Sequence, residues 1–528
     1  MKDRDVSHMK KQQIWRIAFL AALAVMFVVQ IIAIVSLIRL KMLPGFLLVL
    51  MVLIFLAYDA VAFYFMFLRG KKPKTRKMAQ MIIKRRRIIS CVLAVVMFLG
   101  CIVVSNVATD VRKTFEAAQA AALPSVEETA ITRTVYVRTH DAAQTLEDAK
   151  SYTYGIVKNY DDECTQQAVD AIEEQIGAKI NTEAYLSVFE VAGALLGGKL
   201  DAMIINSDFV SILEADSRFE MFSSNTRVLA DVEIEGNGEE LDGTGLLLNA
   251  EAEIAENGKL KPFIVYVSGS DSREGKLNGN NRSDVNILAV VNPETRQVLL
   301  LNTPRDYYVP MPLVEGAYDK LTHCGVYGIS CSMKALEALY DCEVQYYVQI
   351  NFEGFRKLID AIGGVTVTSE ESFTLFNGTG EIKVGENHLN GSQALCFART
   401  RYGLSGGDLS RGNNQMRVIK AIVEKATSGT TILTNYSDIM KSIEGLFVMN
   451  VPSSLIGEVV KRQVSDMSGW NILTYSVVGT GDSLECYSAP GELLYAINPS
   501  ELYVNKAIEM IDKIYAGETI TEDMLKVE

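Results

Sequence analysis

The chain of 528 residues is poor in the residue patterns on which the commonest metal and nucleotide sites depend. It has only four histidines, and its eight cysteines form neither a CxxC pair nor a cysteine–histidine ligand pattern. Zinc sites need such clusters, so the sequence speaks against a zinc protein. It also has no P-loop, no HExxH helix and no complete GxGxxG loop, which argues against an ATPase, a zinc protease and a dinucleotide-binding enzyme.

Basic residues are scarce in most of the chain, whose formal net charge is −13. Residues 1–108 hold 17 of the 51 lysines and arginines but only 3 of the 64 acidic residues. The rest of the chain is therefore strongly acidic, and an acidic surface does not favour a nucleic-acid partner.

Long apolar segments, by contrast, are concentrated near the amino terminus. Residues 14–38, 43–68 and 88–108 are each long enough to cross a hydrocarbon core of about 30 Å. The first is too long for a cleaved signal peptide and lacks a small-residue cleavage site. The sequence predicts an anchor of three transmembrane helices in the cell membrane, with membrane lipid around it.

The orientation of this anchor follows from the distribution of lysine and arginine. Residues 69–87 (RGKKPKTRKMAQMIIKRRR) are strongly basic, whereas the loop between the first two spans holds little beyond Arg39 and Lys41. Basic loops stay in the cytoplasm. We therefore expect a cytoplasmic amino terminus and an extracellular location for everything after residue 108. Outside the cell, disulfides can form, and the sequence leaves open whether Cys324, Cys331 and Cys342 form bridges.

The exterior part alternates strand-like and helix-like segments, which is typical of an α/β fold. The segment LLGGKLDAMIIN resembles a helix–glycine–strand step of periplasmic solute-binding proteins, with no ligand assigned. The second α/β region begins at KPFIVYVSGSDS and is predicted to be a sandwich around a mixed sheet, with ALCFARTR as one of its strands. The predicted division is a membrane anchor at 1–108, a stalk at 109–130, a small accessory α/β domain at 131–232, a linker at 233–260 and a larger α/β domain at 261–520.

Charged residues of the larger domain gather at or near predicted strand ends. They occur in four short stretches: GSDSR (Asp271, Arg273), NRSD (Arg282, Asp284), TPRD (Arg305, Asp306) and CFARTRYGLSGGDLSRGNNQ (Arg399, Arg401, Asp408, Arg411, Gln415). Ligands of α/β sheets bind where loops leave strand ends. Arginine matches phosphate oxygens, and interleaved carboxylates suit Mg²⁺ with substrate phosphates. Alone, Arg305 with Asp306 is more typical of a structural ion pair and Asp284 of a turn residue or cap. Arg399 and Arg401, predicted to share one strand face, are alone more typical of a solvated edge. The set, however, predicts phosphoryl or pyrophosphate chemistry with Mg²⁺.

These same stretches resemble the LytR–CpsA–Psr family. The matching segments are collinear: VSGSDSR, NRSDVNILAVVNPETRQVLLLNTPRDYYVPMP, KLTH, YYVQINFEGFRKLIDAIGGVTV and LNGSQALCFARTR…DLSRGNNQ. The resemblance covers about residues 262–425. It implies a membrane-anchored enzyme of mainly Gram-positive bacteria that transfers teichoic acids or capsular polysaccharides from a polyprenyl-pyrophosphate carrier to peptidoglycan. It also implies a hydrophobic pocket for the polyprenyl tail.

The resemblance also suggests a role for each matching residue. It implies that Asp271 and Asp284 are the carboxylates near Mg²⁺, with Arg305 and Asp408 as further catalytic candidates. The residues implied to bind the pyrophosphate are Arg273, Arg282, Arg305, Arg399, Arg401, Arg411 and Gln415. Many relatives carry an arginine immediately before that glutamine, where this chain has Asn414, so one phosphate contact is expected to be missing.

The implied reaction is attack by a peptidoglycan hydroxyl on the phosphorus next to the sugar, with release of polyprenyl phosphate. Asp271 or Asp408 is the candidate general base. Two alternatives remain open: a pyrophosphatase that hydrolyses the same lipid donor, and a non-catalytic sensor of lipid-linked precursors. Transcription control is disfavoured, because the predicted cytoplasmic part is only short basic segments.

Overall fold

The structure is a computed structural model that describes residues 2–40, 42–67, 76–120, 130–158, 162–235, 259–270, 282–401, 404, 408–428, 446–466 and 468–527. The helices are α1 Lys2–Leu40, α2 Gly45–Phe67, α3 Arg76–Ala120, α4 Asp162–Ile176, α5 Val188–Leu196, α6 Val210–Leu213, α7 Phe222–Asn225, α8 Leu321–Cys324, α9 Ile329–Tyr340, α10 Phe352–Ala361, α11 Gly391–Arg399, α12 Asp408–Ser428, α13 Ser453–Asp466 and α14 Glu501–Tyr515.

The strands fall mainly into two larger sheets, with three short hairpins and a short antiparallel pair. They are β1 Ala130–Arg138, β2 Thr153–Val157, β3 Asn181–Tyr185, β4 Ala202–Ile205, β5 Thr226–Glu235, β6 Phe263–Ser270, β7 Ser283–Asn292, β8 Gln297–Asn302, β9 Tyr308–Pro310, β10 Tyr318–Lys320, β11 Tyr346–Asn351, β12 Val365–Ser369, β13 Phe373–Thr374, β14 Glu381–Ile382, β15 Gly385–Leu389, β16 Phe447–Met449, β17 Asn471–Ser476, β18 Gly479–Cys486 and β19 Ala489–Pro499.

The first three helices are the three apolar segments of the sequence. Residues 17–40, 45–65 and 81–114 are long and apolar enough to cross a membrane. Polar side chains link the helices to one another: Ser36 Oγ lies 3.0 Å from Ser105 Oγ, and Gln30 Nε2 donates to Asp59 Oδ1 at 3.0 Å. Such bonds hold helices together where the surroundings are apolar. These helices fit the predicted membrane anchor.

The first sheet has the order β3-β2-β4-β1-β5. Strand β2 is parallel to both β3 and β4, and β1 is antiparallel to β4 and β5. Helix α4 packs on one face, where Ala168 and Ile172 meet Tyr154 of β2. Helices α5 to α7 pack on the other face, where Leu195 meets Met203 of β4.

The second sheet has the order β16-β11-β6-β7-β8-β17 and is mixed. Strand β11 is parallel to β6 and β17 is parallel to β8, whereas β6, β7 and β8 form an antiparallel meander. One face packs against α9 and α14 through residues such as Leu336 and Ile511, and the other packs against α12 through Met416. The predicted mixed sheet between helices is confirmed.

The segment ALCFARTR is not a strand, contrary to the prediction. It belongs to α11, which begins at a capping box: Gln393 N donates to Asn390 Oδ1 at 2.9 Å, and Asn390 N donates to Gln393 Oε1 at 3.1 Å. Ala394, Phe397 and Ala398 then recur at helical spacing and are buried. The capping box and the helical spacing of these buried residues favour a helix over the strand that a short apolar run indicates.

The sequence leaves open whether Cys324, Cys331 and Cys342 form bridges, and no disulfide joins them in this structure. All eight cysteines lie within the described residues, and none of them is in a disulfide.

Candidate active site

One edge of the six-stranded sheet collects the ends of five strands. Register places Ser270 at the end of β6 opposite both Ser283 at the start of β7 and Asn351 at the end of β11. Asn302 at the end of β8 lies opposite Ser476 at the end of β17. Because strand ends meet here, the loops that follow them project to the same side of the sheet, which is where α/β folds place ligands.

Asp284, near the start of β7, is the centre of a charged cluster at this edge. Its Oδ1 accepts a hydrogen bond from Arg305 Nη1 at 2.8 Å and lies 3.6 Å from Arg282 Nη2. Burial by itself would raise the pKa of Asp284, but the charges of Arg282, Arg305 and Arg411, with the hydrogen bond from Arg305, outweigh burial and lower it. Asp284 is therefore a carboxylate at neutral pH.

The second oxygen of the Asp284 carboxylate, Oδ2, is available to bind a cation. Every hydrogen bond and ion pair that Asp284 makes with described residues uses Oδ1, so Oδ2 is not committed to any of them. An ionised carboxylate with one uncommitted oxygen fits a Mg²⁺ ligand, since Mg²⁺ is usually held by one or two carboxylates together with substrate phosphates. The described residues contain no cluster of three acidic, histidine or cysteine ligands. The predicted second carboxylate, Asp271, lies outside the described residues.

The cluster continues from Arg305 to a lysine for which the sequence predicted no role. Arg305 Nε lies 3.5 Å from Asp306 Oδ2, and Lys320 Nζ lies 3.8 Å from Asp306 Oδ1. The three side chains are only 14–19% exposed. Lys320 begins the KLTH segment, one of the segments that resemble the LytR–CpsA–Psr family. That resemblance was the one signal in the sequence for a role of Lys320.

Arg282 offers a further donor to this edge. Its Nη1 donates to the carbonyl of Ser211 at 2.7 Å, which fixes the guanidinium beside Asp284. Its Nε is buried without a hydrogen-bond partner in the described part of the chain. A buried N–H without an acceptor is costly, and an anion oxygen would satisfy it.

Helix α12 brings Arg411 and Gln415 to the same edge. A Cβ on Gly412 would lie 2.2 Å from Asn302 Nδ2, so with any larger residue the Asn302 side chain would have to move for the helix to approach the end of β8 this closely. Next to it, Ser476 Oγ donates to Asn413 Oδ1 at 2.9 Å. This approach buries Arg411, whose charge acts on Asp284, and also buries Gln415.

Arg399 differs from these arginines in its surroundings. It is the last residue of α11 rather than a strand residue, so the predicted shared strand face with Arg401 is wrong. Its guanidinium lies 4.2 Å from the ring centroid of Phe352 and 6.0 Å from that of Phe376. It is exposed and makes neither a hydrogen bond nor an ion pair with any described residue, which leaves its charge available to an anion.

Asn414 has a structural role in this chain. It is buried, its Nδ2 donates to the carbonyl of Phe397 at 3.3 Å, and its Oδ1 accepts from Arg417 Nη1 at 2.9 Å. Arg417 also pairs with Glu370 at 2.6 Å. The residue thus ties α12 to α11, and the expected loss of a phosphate contact there stays a prediction.

Three predicted site residues cannot be placed. Asp271 and Arg273 lie outside the described residues, and so does the side chain of Asp408, whose backbone begins α12. Of the other predicted residues, the structure brings Arg282, Asp284, Arg305 and Arg411 together.

Comparison with known proteins gives concordant results. The model of the LytR_cpsA_psr family matches residues 224–497, just over half of the chain. A polyisoprenyl-teichoic acid–peptidoglycan teichoic acid transferase TagU of Oceanobacillus iheyensis is 33% identical over 42% of this chain and 68% of its own length. The protein of the same name from Bacillus subtilis is 32% identical over 44% of this chain and 74% of its own.

Coverage differs among these relatives and solved structures. The TagU protein of Enterococcus faecalis is 34% identical over 35% of this chain, which spans 59% of that relative. A crystal structure of the Lin1025 protein from Listeria innocua is 30% identical, covers 49% of this chain and 100% of its own, and has a TM-score of 0.39.

Proposed function

The chain belongs to the LytR–CpsA–Psr family, and we propose that it is a transferase that moves a teichoic acid or a capsular polysaccharide from a polyprenyl-pyrophosphate carrier to a peptidoglycan hydroxyl. The product is a phosphodiester between polymer and peptidoglycan. Teichoic acid transfer is what the names of the TagU relatives state of those proteins.

The observation that carries this proposal is the excess of cations over carboxylates among the described residues around Asp284. Four buried or half-buried cations, Arg282, Arg305, Lys320 and Arg411, gather near two carboxylates, Asp284 and Asp306. Adjacent like charges repel unless an anion lies between them. A diphosphate supplies the missing negative charge, and the planar guanidinium groups match its oxygens two at a time.

In the proposed reaction, the acceptor oxygen forms a bond to the phosphorus next to the sugar, and the bond from that phosphorus to the bridging oxygen breaks. The acceptor proton goes to a general base, and polyprenyl phosphate leaves with the bond's electrons. Arg282, Arg305 and Arg411 neutralise the charge that develops on the bridging and equatorial oxygens. Arg399, held over Phe352 with its charge uncommitted, provides a further contact to the donor.

Asp284 is suited to hold Mg²⁺ rather than to take up a proton. Its pKa is lowered and Arg305 occupies one of its oxygens, so it is a poor base at neutral pH. Bound Mg²⁺ would withdraw charge from the phosphate oxygens, with Asp284 and Asp271 as its protein ligands. The base is then Asp271 or Asp408, the two candidate general bases of the sequence motifs.

The three apolar helices support an anchor for this chemistry. A polyprenyl donor stays in the bilayer, so an enzyme tethered there meets its substrate by lateral diffusion. We place the amino terminus in the cytoplasm and residues after the third span outside, as the basic loop at 69–87 indicates.

The test is a transfer assay with the full chain in proteoliposomes that contain a defined polyprenyl-pyrophosphate glycan, peptidoglycan fragments and Mg²⁺. We expect polymer attached to peptidoglycan through a phosphodiester, release of polyprenyl phosphate, and loss of both when Mg²⁺ is chelated. Free phosphorylated glycan without attachment would show a pyrophosphatase instead. Donor binding without turnover would show a sensor, and either result would overturn the proposal.

A further inference from the structure

Beside the charged cluster around Asp284, the same sheet edge carries a neutral pair of side chains. Ser270 ends β6 and Asn351 ends β11, and the parallel register of these strands sets the two residues directly opposite each other. Ser270 is also opposite Ser283, which comes immediately before Asp284. Paired residues of neighbouring strands point to the same face of a sheet. The two side chains therefore lie next to each other, one strand away from the start of β7.

Both side chains are buried, and each has a polar atom without a partner. Ser270 and Asn351 are each only 1% exposed. Ser270 Oγ and Asn351 Nδ2 make no hydrogen bond with any of the residues that the structure describes. An unpaired buried donor destabilises a fold, and folded proteins contain few of them. Two such donors on adjacent strand ends therefore indicate a ligand that pairs with them.

The surrounding polar side chains differ in whether they are paired. Ser268 Oγ lies 2.8 Å from Ser283 Oγ, and the Tyr266 hydroxyl donates to Asn286 Oδ1 at 2.6 Å. Gln349, two residues farther into β11, is buried with Oε1 unpaired among the described residues. The unpaired atoms are thus grouped in β11 and at the end of β6, beside a network of β6 and β7 whose members bond one another.

The helix that follows β11 fixes the orientation of the Asn351 amide. Its Oδ1 accepts a hydrogen bond from Gly354 N at 2.7 Å and caps α10. A backbone N–H needs an acceptor, so the amide oxygen faces the helix and the NH₂ group is the part without a partner. The cap therefore holds Asn351 Nδ2 in place as a preorganised donor.

The neutral pair lies between two of the charged groups proposed to act on the lipid donor. Phe352 follows Asn351, and the centroid of its ring lies 4.2 Å from the guanidinium carbon of Arg399. On the other side, Ser270 is one strand away from Asp284. A sugar attached to a diphosphate that these groups hold would start at the same sheet edge.

We propose that Asn351 and Ser270 form a neutral subsite for a sugar hydroxyl, next to the cations that hold the diphosphate. Neighbouring strands lie about 4.8 Å apart, so one hydroxyl oxygen between the two side chains can accept from Asn351 Nδ2 and bond Ser270 Oγ. Two uncharged donors suit a neutral hydroxyl, whereas the arginines match the anionic oxygens. The inference rests on the proposed function, in which the hydroxyl belongs either to the first sugar of the lipid-linked donor or to the peptidoglycan acceptor.

Two variants remove the unpaired donors and leave the charge of the site unchanged. Asn351→Ser keeps a neutral cap for α10, since serine caps helices about as well as asparagine, but it has no NH₂ group. Ser270→Ala removes a hydroxyl that bonds none of the described residues, so its thermal unfolding should match wild type. The matched control is Asn390→Ser at the exposed cap of α11, where Oδ1 accepts from Gln393 N at 2.9 Å.

The first measurement is binding of two lipids to the full chain in nanodiscs: a polyprenyl diphosphate that carries a glycan, and the same lipid without sugar. If the hydroxyl belongs to the donor, both site variants should bind the glycan-bearing lipid about fivefold or more weakly and the sugar-free lipid as wild type does. If it belongs to the acceptor, both lipids should bind normally, and the KM for peptidoglycan fragments in the proteoliposome assay should rise by a similar factor. Asn390→Ser should behave as wild type in every assay.

Three results would overturn the proposal. Equal weakening of both lipids would show a contact to a phosphate oxygen. Normal binding and normal KM values in both folded variants would show that no sugar uses these donors. A loss in kcat with every KM unchanged would show a structural effect. The comparison of the two lipids needs no turnover, so a wild type that binds them without transfer would defeat the proposed function and still test this subsite.

Discussion

Two aspartates at the edges of the two sheets have opposite acidities. Asp284 in the six-stranded sheet has a lowered pKa because three arginines outweigh the effect of its burial. Asp208 beside the five-stranded sheet has its pKa raised to about 7, because burial outweighs the hydrogen bond with Asn206 and the charge of Arg133. Burial, hydrogen bonds and neighbouring charges together decide which form of each acid the fold stabilises.

The same difference separates the surroundings of the two carboxyl groups. Around Asp284, cations outnumber carboxylates by two among the described residues, which suits a diphosphate with Mg²⁺. Near Asp208, a mostly apolar cleft has Arg133 as the one charged side chain among the described residues that line it. Both carboxyl groups lie near strand ends of an α/β sheet, and the charges around them differ.

The largest expected effect comes from removing one arginine of the polyanion site. Arg305→Ala should lower the rate of glycan transfer by about 10²–10³-fold, because a preorganised donor to the developing negative charge is lost. The rate is measured in the proteoliposome assay at saturating donor.

The control for Arg305 lies at the opposite end of the same strand. Arg296 precedes β8 with a φ of 53° and stacks on Trp470. Arg296→Asn keeps a residue that tolerates this backbone conformation and should leave the transfer rate within a factor of about two. Equal losses in both variants would mean that Arg305 acts through stability alone.

A smaller effect is expected in the pH dependence of stability. Unfolded Asp has a pKa of about 3.9, so between about pH 4 and pH 7 the folded chain keeps a proton on Asp208 that the unfolded chain has lost. Stability should therefore fall as pH rises through this window. Asp208→Asn avoids this loss. The free energy of unfolding of the variant relative to wild type should therefore increase by about 1–3 kcal/mol as pH rises from 4 to 8.

Asp284→Asn should change stability in the direction opposite to Asp208→Asn. The depressed pKa of Asp284 gives stability that is present above the unfolded pKa and is lost as pH falls through the folded pKa. The variant should therefore be less stable than wild type at pH 7, with the difference shrinking below about pH 4. The comparison would be contradicted if each variant differed from wild type by the same free energy of unfolding at every pH.

The smallest effect concerns the aromatic support of Arg399. Its guanidinium lies 4.2 Å from the Phe352 ring centroid, and such contacts contribute about 0.5–1 kcal/mol at exposed sites. Phe352→Leu should raise the KM for the lipid donor by about two- to fivefold with little change in kcat. A loss in kcat alone would show that Phe352 supports the fold of the site rather than the position of Arg399.

Much of the charged site could be predicted from the sequence, because strand ends are visible as breaks in apolar runs. The apolar runs after Arg282 and before Arg305 are clear, and those two residues do converge on Asp284. Lys320 was not assigned a role, because a lysine in a short turn segment carries no periodic signal. The predicted position of Arg399 was wrong because the apolar run ALCF was read as a strand, although the capping box at Asn390 begins a helix just before it.

The elements that the sequence did not reveal are the exposed ones. Strand β3 (NTEAY) has four exposed residues out of five, and β18 is exposed along most of its length, so neither shows the alternation that marks a half-buried strand. The cleft beside Arg133 depends on both the β3 end and the β18–β19 hairpin. Its geometry therefore could not be predicted from the sequence pattern.

The most direct test of the proposed pyrophosphate site is glycan transfer by the double variant Arg399→Ala, Arg401→Ala, with Lys150→Ala, Lys179→Ala as a control that removes two exposed cations beside the other sheet. Far-UV circular dichroism and membrane insertion establish that each variant is folded. We predict that the arginine variant loses transfer of lipid-linked polymer to peptidoglycan, whereas the lysine variant retains it. Unchanged transfer in the folded arginine variant would contradict the account.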